Sequence, residues 1–307
     1  MASQRVIGVD LGGTKILAGV VDRDGNVERR RELPTPLDSQ DELLGGLAEA
    51  VEDVLADDVA ALGFGIPSTI DQRSGKAVTS VNIPLADLDL RGAMHERFGL
   101  PVGIDNDANA ATLAEWAHGA GRGTRHMVML TLGTGIGGGL ILDGKPYRGA
   151  IGAGAELGHM VIDLDGPPCQ GACTGRGHLE VLASGHAATT AAQKQFGAAA
   201  DAHRLVRLAG EGDSDAVAIL AEIGSRLGAG MVSLVNVFNP ELIVVGGGFA
   251  AAGALLLQPA RERVAREALS PARELVRIVR AELGTAAGLV GAGLVAFEAL
   301  DGAAAAA

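Results

Sequence analysis

The chain has 307 residues, 48% of them hydrophobic, and a formal net charge of −12. That length suffices for about two domains with a sizeable buried core, and the hydrophobic content excludes a disordered polypeptide. The acidic balance is spread along the chain, which argues against nucleic acid and anionic membrane as partners, since phosphate binding needs a clustered basic face.

An apolar segment begins at Val6 with no basic region ahead of it, so no signal peptide is expected. VIGVDLGGTKILAGVVDRDG (6–25) reads as a strand, a Gly/Thr turn, a second strand and an Asp-containing turn closed by Gly. Arg29–Arg31, the one basic run, suits a solvated strand edge. LPVGID (100–105) is expected as a strand, and NDANAATLAEWAHG (106–119) as a helix capped by Asp107 or Asn106. VMLTLGTGIGGGLILDG (128–144) then repeats the opening hairpin, pairing Leu11 with Leu132, Gly12 with Gly133 and Asp22 with Asp143. Two similar halves predict two lobes with a cleft between them.

The second copy contains Gly133-x-Gly135-x-x-Gly138, a formal match to the dinucleotide fingerprint. That fingerprint needs a helix directly after the glycines, and the sequel GLILDGKPYRG reads as a strand, so a Rossmann site is excluded. A GxxxxGK[ST] phosphate loop is absent as well. Further on, residues 215–238 and 253–276 have helical patterns, and ELIVVGGG (241–248) is a buried strand followed by an Ala-rich helix. Leu283–Phe297 carries no charge but is shorter than the roughly 20 residues of a bilayer span, and reads as a close-packed helix. DGAAAAA is expected to be a loose tail. Two cysteines cannot form a disulfide framework, which points to the cytoplasm.

Four groups of residues carry chemistry. Asp107 ends a strand where the chain turns into a helix, so its carboxylate can take a proton from an attacking hydroxyl or simply cap the helix. Asp10 has the matching place in the first hairpin, beside glycines that let backbone N–H groups approach an anion, and suits a Mg²⁺ held directly or through water. Glu156 and His159 form E-x-x-H, with flanking glycines that suggest loop or strand rather than helix. Cys169 and Cys173 share a Gly/Pro-rich loop bracketed by His159 and His178.

DLGGTK (10–15), GIPSTID (65–71), IDNDANAA (104–111), LTLGTGIGGGLI (130–141), ELGHM (156–160) and CTGRGHLE (173–180) resemble, in order, the motifs of ROK sugar kinases, bacterial ATP-dependent glucokinases among them. The resemblance runs from about residue 5 to 300. It implies an α/β, two-lobed actin/hexokinase-like (ribonuclease H-like) ATPase fold. The lobes would be residues 1–117, joined by a C-terminal helix at about 289–302, and residues 118–288, with a disordered tail at 303–307. The implied reaction is transfer of the γ-phosphate of ATP to a sugar hydroxyl, with Asp107 as general base. By the same resemblance Asn82, Asn106, Asp107, Glu156, His159 and Glu180 hold the sugar. Asp10, Gly12, Gly13, Thr14 and Lys15 form the first phosphate loop, Thr134 and Gly135 belong to the second, and Gly246, Gly247 and Gly248 lie near adenosine.

The family also carries a structural zinc site of one His and three Cys. This chain departs from it, with His178 in the third cysteine's place and Cys169 two residues ahead of the first cysteine's place at Gly171. The expected zinc ligands are therefore His159, Cys169, Cys173 and His178, an ordinary tetrahedral set. Glucose is the expected acceptor, with fructose, mannose, allose or an N-acetylhexosamine as alternatives, and ATP rather than polyphosphate the expected donor. ROK relatives include transcription factors with an N-terminal helix-turn-helix; a first strand at Val6 leaves no room for one, so DNA binding is not expected. A homodimer or homotetramer is the family's habit.

Overall fold

The computed structural model describes residues 4–80, 83–171 and 173–306. They divide into two compact units. The first comprises Met1–Arg122, Pro146–Gly154 and Leu283–Ala307, and the second Gly123–Lys145 and Ala155–Glu282.

The first unit opens with β1 (Arg5–Leu11), β2 (Lys15–Asp22) and β3 (Val27–Pro34), an antiparallel run whose Gly/Thr turn joins β1 to β2 as the sequence predicts. After α1 (Gln40–Glu52) comes β4 (Val59–Ile66). Three short strands follow, β5 (Thr69–Asp71), β6 (Lys76–Thr79) and β7 (Ala86–Leu88), then α2 (Leu90–Phe98), β8 (Val102–Asn106) and α3 (Asp107–His118). The main sheet runs β3-β2-β1-β4-β8, with β1, β4 and β8 parallel. The inner strands are almost continuously buried, as parallel strands covered on both faces must be. Arg29–Arg31 lie exposed on the edge strand β3, where they were expected.

The C-terminal helix, Ala287–Ala306, closes this unit. Gly8, Gly63 and Gly103 stand in register on β1, β4 and β8. A Cβ at any of them would overlap a carbonyl of this helix, at Leu289, Ala292 or Val295 respectively. The Gly/Ala richness of the uncharged stretch is thus the requirement of a helix lying directly on a sheet, the close packing its composition suggested. Alanine is the best helix former, and the helix continues through the final run to Ala306 instead of loosening into a tail at 303.

The second unit repeats the plan. β9 (Met127–Leu132) and β10 (Ile136–Leu142) form the second hairpin, followed by the two-residue β11 (Lys145–Pro146). Then come α4 (Leu179–Ala183), α5 (Gly185–Phe196), α6 (Ala202–Gly210), α7 (Ser214–Phe238), β12 (Leu242–Gly246), α8 (Ala254–Glu267), α9 (Ala272–Leu275) and β13 (Arg277–Arg280). The sheet order is β11-β10-β9-β12-β13, with β9, β12 and β13 parallel. An antiparallel hairpin followed by two parallel strands is the arrangement of β2-β1-β4-β8, so the echo read in the sequence is an echo of topology. β10 directly follows the glycines, which removes the Rossmann reading.

Two expectations need correction. The helix predicted over 253–276 ends at Glu267, where Ala268 turns extended, and the chain restarts as α9 only at Ala272, after Pro271. His159, expected in loop or strand, instead ends a single 3₁₀ turn, Leu157–His159, while Glu156 lies in the loop just before it as expected. By length and composition, Ser214–Phe238 and Gly284–Ala305 would each be long and apolar enough to cross a membrane; 44% and 50% of their respective most apolar windows are buried within the protein.

Candidate functional site

In the first unit the acidic residues gather at the carboxyl ends of the parallel strands. Asp10 near the end of β1 sits opposite Gly65 of β4, which in turn faces Asp105 of β8. Asp107 begins α3, and Asn106 is the cap: its Oδ1 accepts the N–H groups of Ala108 at 2.9 Å and Asn109 at 3.3 Å. Capping by Asn106 leaves the Asp107 carboxylate for other work, though its Oδ1 accepts the N–H of Ala108 at 2.8 Å. Asn106 Nδ2 has a long 3.4 Å bond to the Ser68 carbonyl.

Burial pushes the Asp107 carboxyl above its ordinary value, against the pull of the Ala108 amide. Asp10 rises from 3.8 to about 6, first through burial and then through repulsion by Asp107, with Lys15 opposing. The two carboxylates therefore feel each other. A hard divalent cation would complement such a pair, and Asp10 could hold it. Gly288 in the C-terminal helix makes room for Asp10, since a Cβ there would overlap the carboxylate.

The first glycine turn is closed by the Gly12 N–H donating to the Lys15 carbonyl at 2.9 Å, and by Thr35 Oγ1 donating to the Gly12 carbonyl at 2.8 Å. Gly13 and Thr14 are exposed. Lys15 is held by Glu32 at 3.0 Å on the neighbouring strand. Asn82 lies outside the described residues.

The second unit holds the other candidates. The turn between β9 and β10 is tied to the start of α5, where the Gly185 and His186 N–H groups donate to the carbonyls of Gly133 and Thr134 at 2.9 and 3.1 Å. A cavity of about 400 Å³ opens here, lined by Thr134, His186, Thr189, Asp201, Gly248 and Phe249 among others. It gathers Thr134 and Gly248, expected near the nucleotide. Gly246 and Gly247 do not line it: Gly246 is the buried end of β12, and a Cβ on Gly247 would strike the backbone of Leu132. His186, Thr189, Asp201 and Phe249 carry no motif that would have singled them out.

Glu180, in the first turn of α4, accepts the Ile136 N–H at 2.8 Å through Oε2. A Cβ on Gly135 would overlap that same oxygen, so the second glycine turn and Glu180 are fitted to each other. Glu156 is exposed at the start of the 3₁₀ turn that ends in His159.

The four expected metal ligands do converge. One ligand atom each from His159, Cys169, Cys173 and His178 lie within 4.8 Å of one another. Cys169 Sγ is 3.7 Å from His159 Nδ1, Cys173 Sγ is 3.8 Å from His178 Nδ1, and the two Nδ1 atoms are 3.2 Å apart. Zinc bonds of about 2.0–2.3 Å in a tetrahedron give edges of about 3.3–3.8 Å, close to these three separations, and two thiols with two imidazoles are a zinc donor set in chemistry. Short bridges between Val161 and His178 and between Pro168 and Arg176 close the loop around it. The Cys173 N–H donates to the Gln170 carbonyl at 3.3 Å.

Known proteins resemble this chain over nearly its whole length. The model of the ROK family matches residues 6–299. The chain is 35% identical to the glucokinase of Streptomyces coelicolor, over 95% of this chain and 97% of that one. A crystal structure of a ROK family glucokinase from Streptomyces griseus in complex with glucose and AMPPNP superposes with a TM-score of 0.85 at 34% identity, covering 96% and 99% of the two chains. A ROK hexokinase from Thermus thermophilus gives 0.83 at 37% identity, covering 97% and 99%.

Proposed function

This chain belongs to the ROK family, and from that premise we propose that it is a glucokinase, transferring the γ-phosphoryl group of ATP to the 6-hydroxyl of glucose. Its likeness to a ROK glucokinase that binds glucose and AMPPNP carries the reading. The site chemistry supports it. In the reaction the sugar oxygen bonds to the γ-phosphorus, the bond to the ADP oxygen breaks, and the hydroxyl proton passes to Asp107 Oδ. A carboxyl whose pKa is pushed up by burial is a stronger base than an exposed one, and a positioned general base contributes about 10²–10⁴-fold. Phosphoryl transfer otherwise needs positioning and charge neutralisation. Gly12, Gly13, Thr14 and Lys15 in one turn and Thr134 and Gly135 in the other would serve the phosphates, with Gly248 beside the nucleoside. A Mg²⁺ at Asp10 would neutralise phosphate charge.

Asn106, Glu156, His159 and Glu180 take the sugar hydroxyls in this reading, together with Asn82. Zinc on His159, Cys169, Cys173 and His178 would be structural, bracing the loop between His159 and Glu180. With Nδ1 of His159 turned to the metal group, its Nε2 is the nitrogen left for the sugar.

The test is a panel of glucose, fructose, mannose, allose and N-acetylglucosamine against ATP and polyphosphate. Glucose with ATP should give the highest kcat/KM, and Asp107→Ala should abolish turnover while glucose still binds. A different preferred hexose, or polyphosphate as the better donor, refutes the assignment; near-normal kcat in Asp107→Ala removes Asp107 as the base.

A further inference from the structure

Asp105 immediately precedes the Asn106–Asp107 pair, and only 1% of it is exposed. An ionised carboxylate that deep persists only when paired and fully hydrogen-bonded. Its Oδ2 takes Arg148 Nε at 2.5 Å. Its Oδ1 takes the backbone N–H of Asn106 at 2.8 Å, Asn109 Nδ2 at 3.1 Å and Gln72 Nε2 at 3.3 Å. Asn106 and Asn109 lie on either side of Asp107, at the strand end and in the first turn of α3. The buried carboxylate therefore holds the Asn106 backbone on one flank of the proposed base and the Asn109 side chain on the other.

Arg148 is itself held from several directions. Its Nη2 donates to Glu298 of the C-terminal helix at 2.7 Å. Its carbonyl accepts the Gly154 N–H at 2.9 Å, which closes the loop 148–154 on itself. The Ile151 carbonyl of that loop accepts the N–H of Gln72 at 2.8 Å, and the same Gln72 reaches Asp105. Two residues after this loop comes Glu156.

The geometry points to Arg148 as a positioning residue for phosphoryl transfer: through Asp105 it sets the orientation of the Asn106–Asp107 turn. It touches no reacting atom, and the inference rests on the kinase reading above. A misplacement of about 1 Å at a reacting group can cost about 10²-fold in rate, so the effect should fall on kcat. Lysine cannot reproduce the guanidinium fork that bridges Asp105 and Glu298, so it should restore only part of the loss. The Arg148 side chain also lines a cavity of about 340 Å³ with Gln72, Arg91 and Glu298, which gives a small guanidinium ion access to the place a truncated side chain would leave.

The experiment measures kcat, both KM values and the urea midpoint for wild type, Arg148→Ala, Arg148→Lys and the control Arg97→Ala, whose partner is the exposed Glu52. Arg148→Ala should lose about 10²-fold in kcat with each KM within about threefold, and Arg148→Lys should recover about tenfold of it. Millimolar methylguanidinium should raise kcat of Arg148→Ala and leave Asp107→Ala dead. If Arg148→Ala does not fold, the kcat-against-KM split of Arg148→Lys decides. A kcat within about threefold of wild type overturns the inference. So does a loss that methylguanidinium leaves untouched while the urea midpoint falls in step, since that marks a merely structural pair. A wild type inactive on every hexose refutes the kinase reading and this inference together, and is distinguished by the failure of the control.

Discussion

Asp10→Asn should make the protein more stable and less active at the same time. Burial and the neighbouring Asp107 hold the Asp10 carboxyl near 6 against an ordinary 3.8. Because the folded-state value is the higher one, the folded state binds more protons than the unfolded chain between about pH 4 and 6, and stability falls as pH rises through that window. Above about pH 6 the whole cost is present, and below about pH 4 none of it is. A separation of roughly two pH units corresponds to about 3 kcal/mol at 1.36 kcal/mol per unit, a ceiling for a carboxylate that keeps some solvent contact. Asparagine has nearly the same shape and no charge to bury. Urea unfolding in EDTA, which keeps cations away, should give Asp10→Asn an advantage of up to about 3 kcal/mol at pH 7.5, shrinking toward zero by about pH 4. Turnover with ATP and Mg²⁺ should be lost in the same variant. A variant less stable than wild type at pH 7.5, or an advantage that does not change with pH, would show that the carboxylate is not held charged against its surroundings.

Gly135→Ala places a methyl on the Glu180 Oε2 that accepts the Ile136 N–H, and losing a charge-assisted hydrogen bond of about 1.5–3 kcal/mol should lower kcat/KM for glucose about 10–100-fold; a change under twofold contradicts the fit of turn to carboxylate. Gly63→Ala drives a Cβ into the Ala292 carbonyl and to 2.5 Å from the Ala296 N–H nitrogen, where backbone cannot yield cheaply. A loss of about 1–3 kcal/mol or more by urea titration is expected, and an unchanged midpoint would mean that the C-terminal helix does not lie on the sheet at that distance. Protein purified without an affinity tag should carry about one zinc per chain by elemental analysis, and Cys173→Ala should carry none while its KM for glucose rises about tenfold or more; active protein free of zinc excludes the structural role.

Much of this was readable in the sequence, for identifiable reasons. The two hairpins announced themselves because a glycine turn between apolar runs has few other physical meanings, and β1/β2 and β9/β10 pair as those runs suggested. The His/Cys group was visible because its donors are confined to a short stretch, so local spacing alone constrains their geometry. Asp105 could have been noticed as a charge in an otherwise apolar strand. Its partner could not: Arg148 lies 43 residues away, and only the folded loop 148–154 brings it near. The cavity beside Thr134 is equally opaque, since Asp201 reads as an ordinary helix cap and His186 as a residue of a first helical turn. The helix expected through residue 276 failed because periodicity continued across Ala268–Pro271 while the backbone there leaves the helical conformation.

The three aspartates at the strand ends of the first unit are treated unequally, and that inequality is the physical argument for chemistry at this place. Asp105, the most deeply buried, is matched by Arg148 and three further donors, as a structural charge must be. Asp10 and Asp107 are left with carboxyl groups pushed up by burial, and they repel each other. A fold shaped for stability alone would have given these two an arginine or replaced them with amides. Keeping them costs folding energy, and the proposed kinase reaction gives each a use: a cation for Asp10 and a hydroxyl proton for Asp107. In that reading the arginine-paired aspartate serves the other two, since a general base is effective only if the turn that carries it cannot drift.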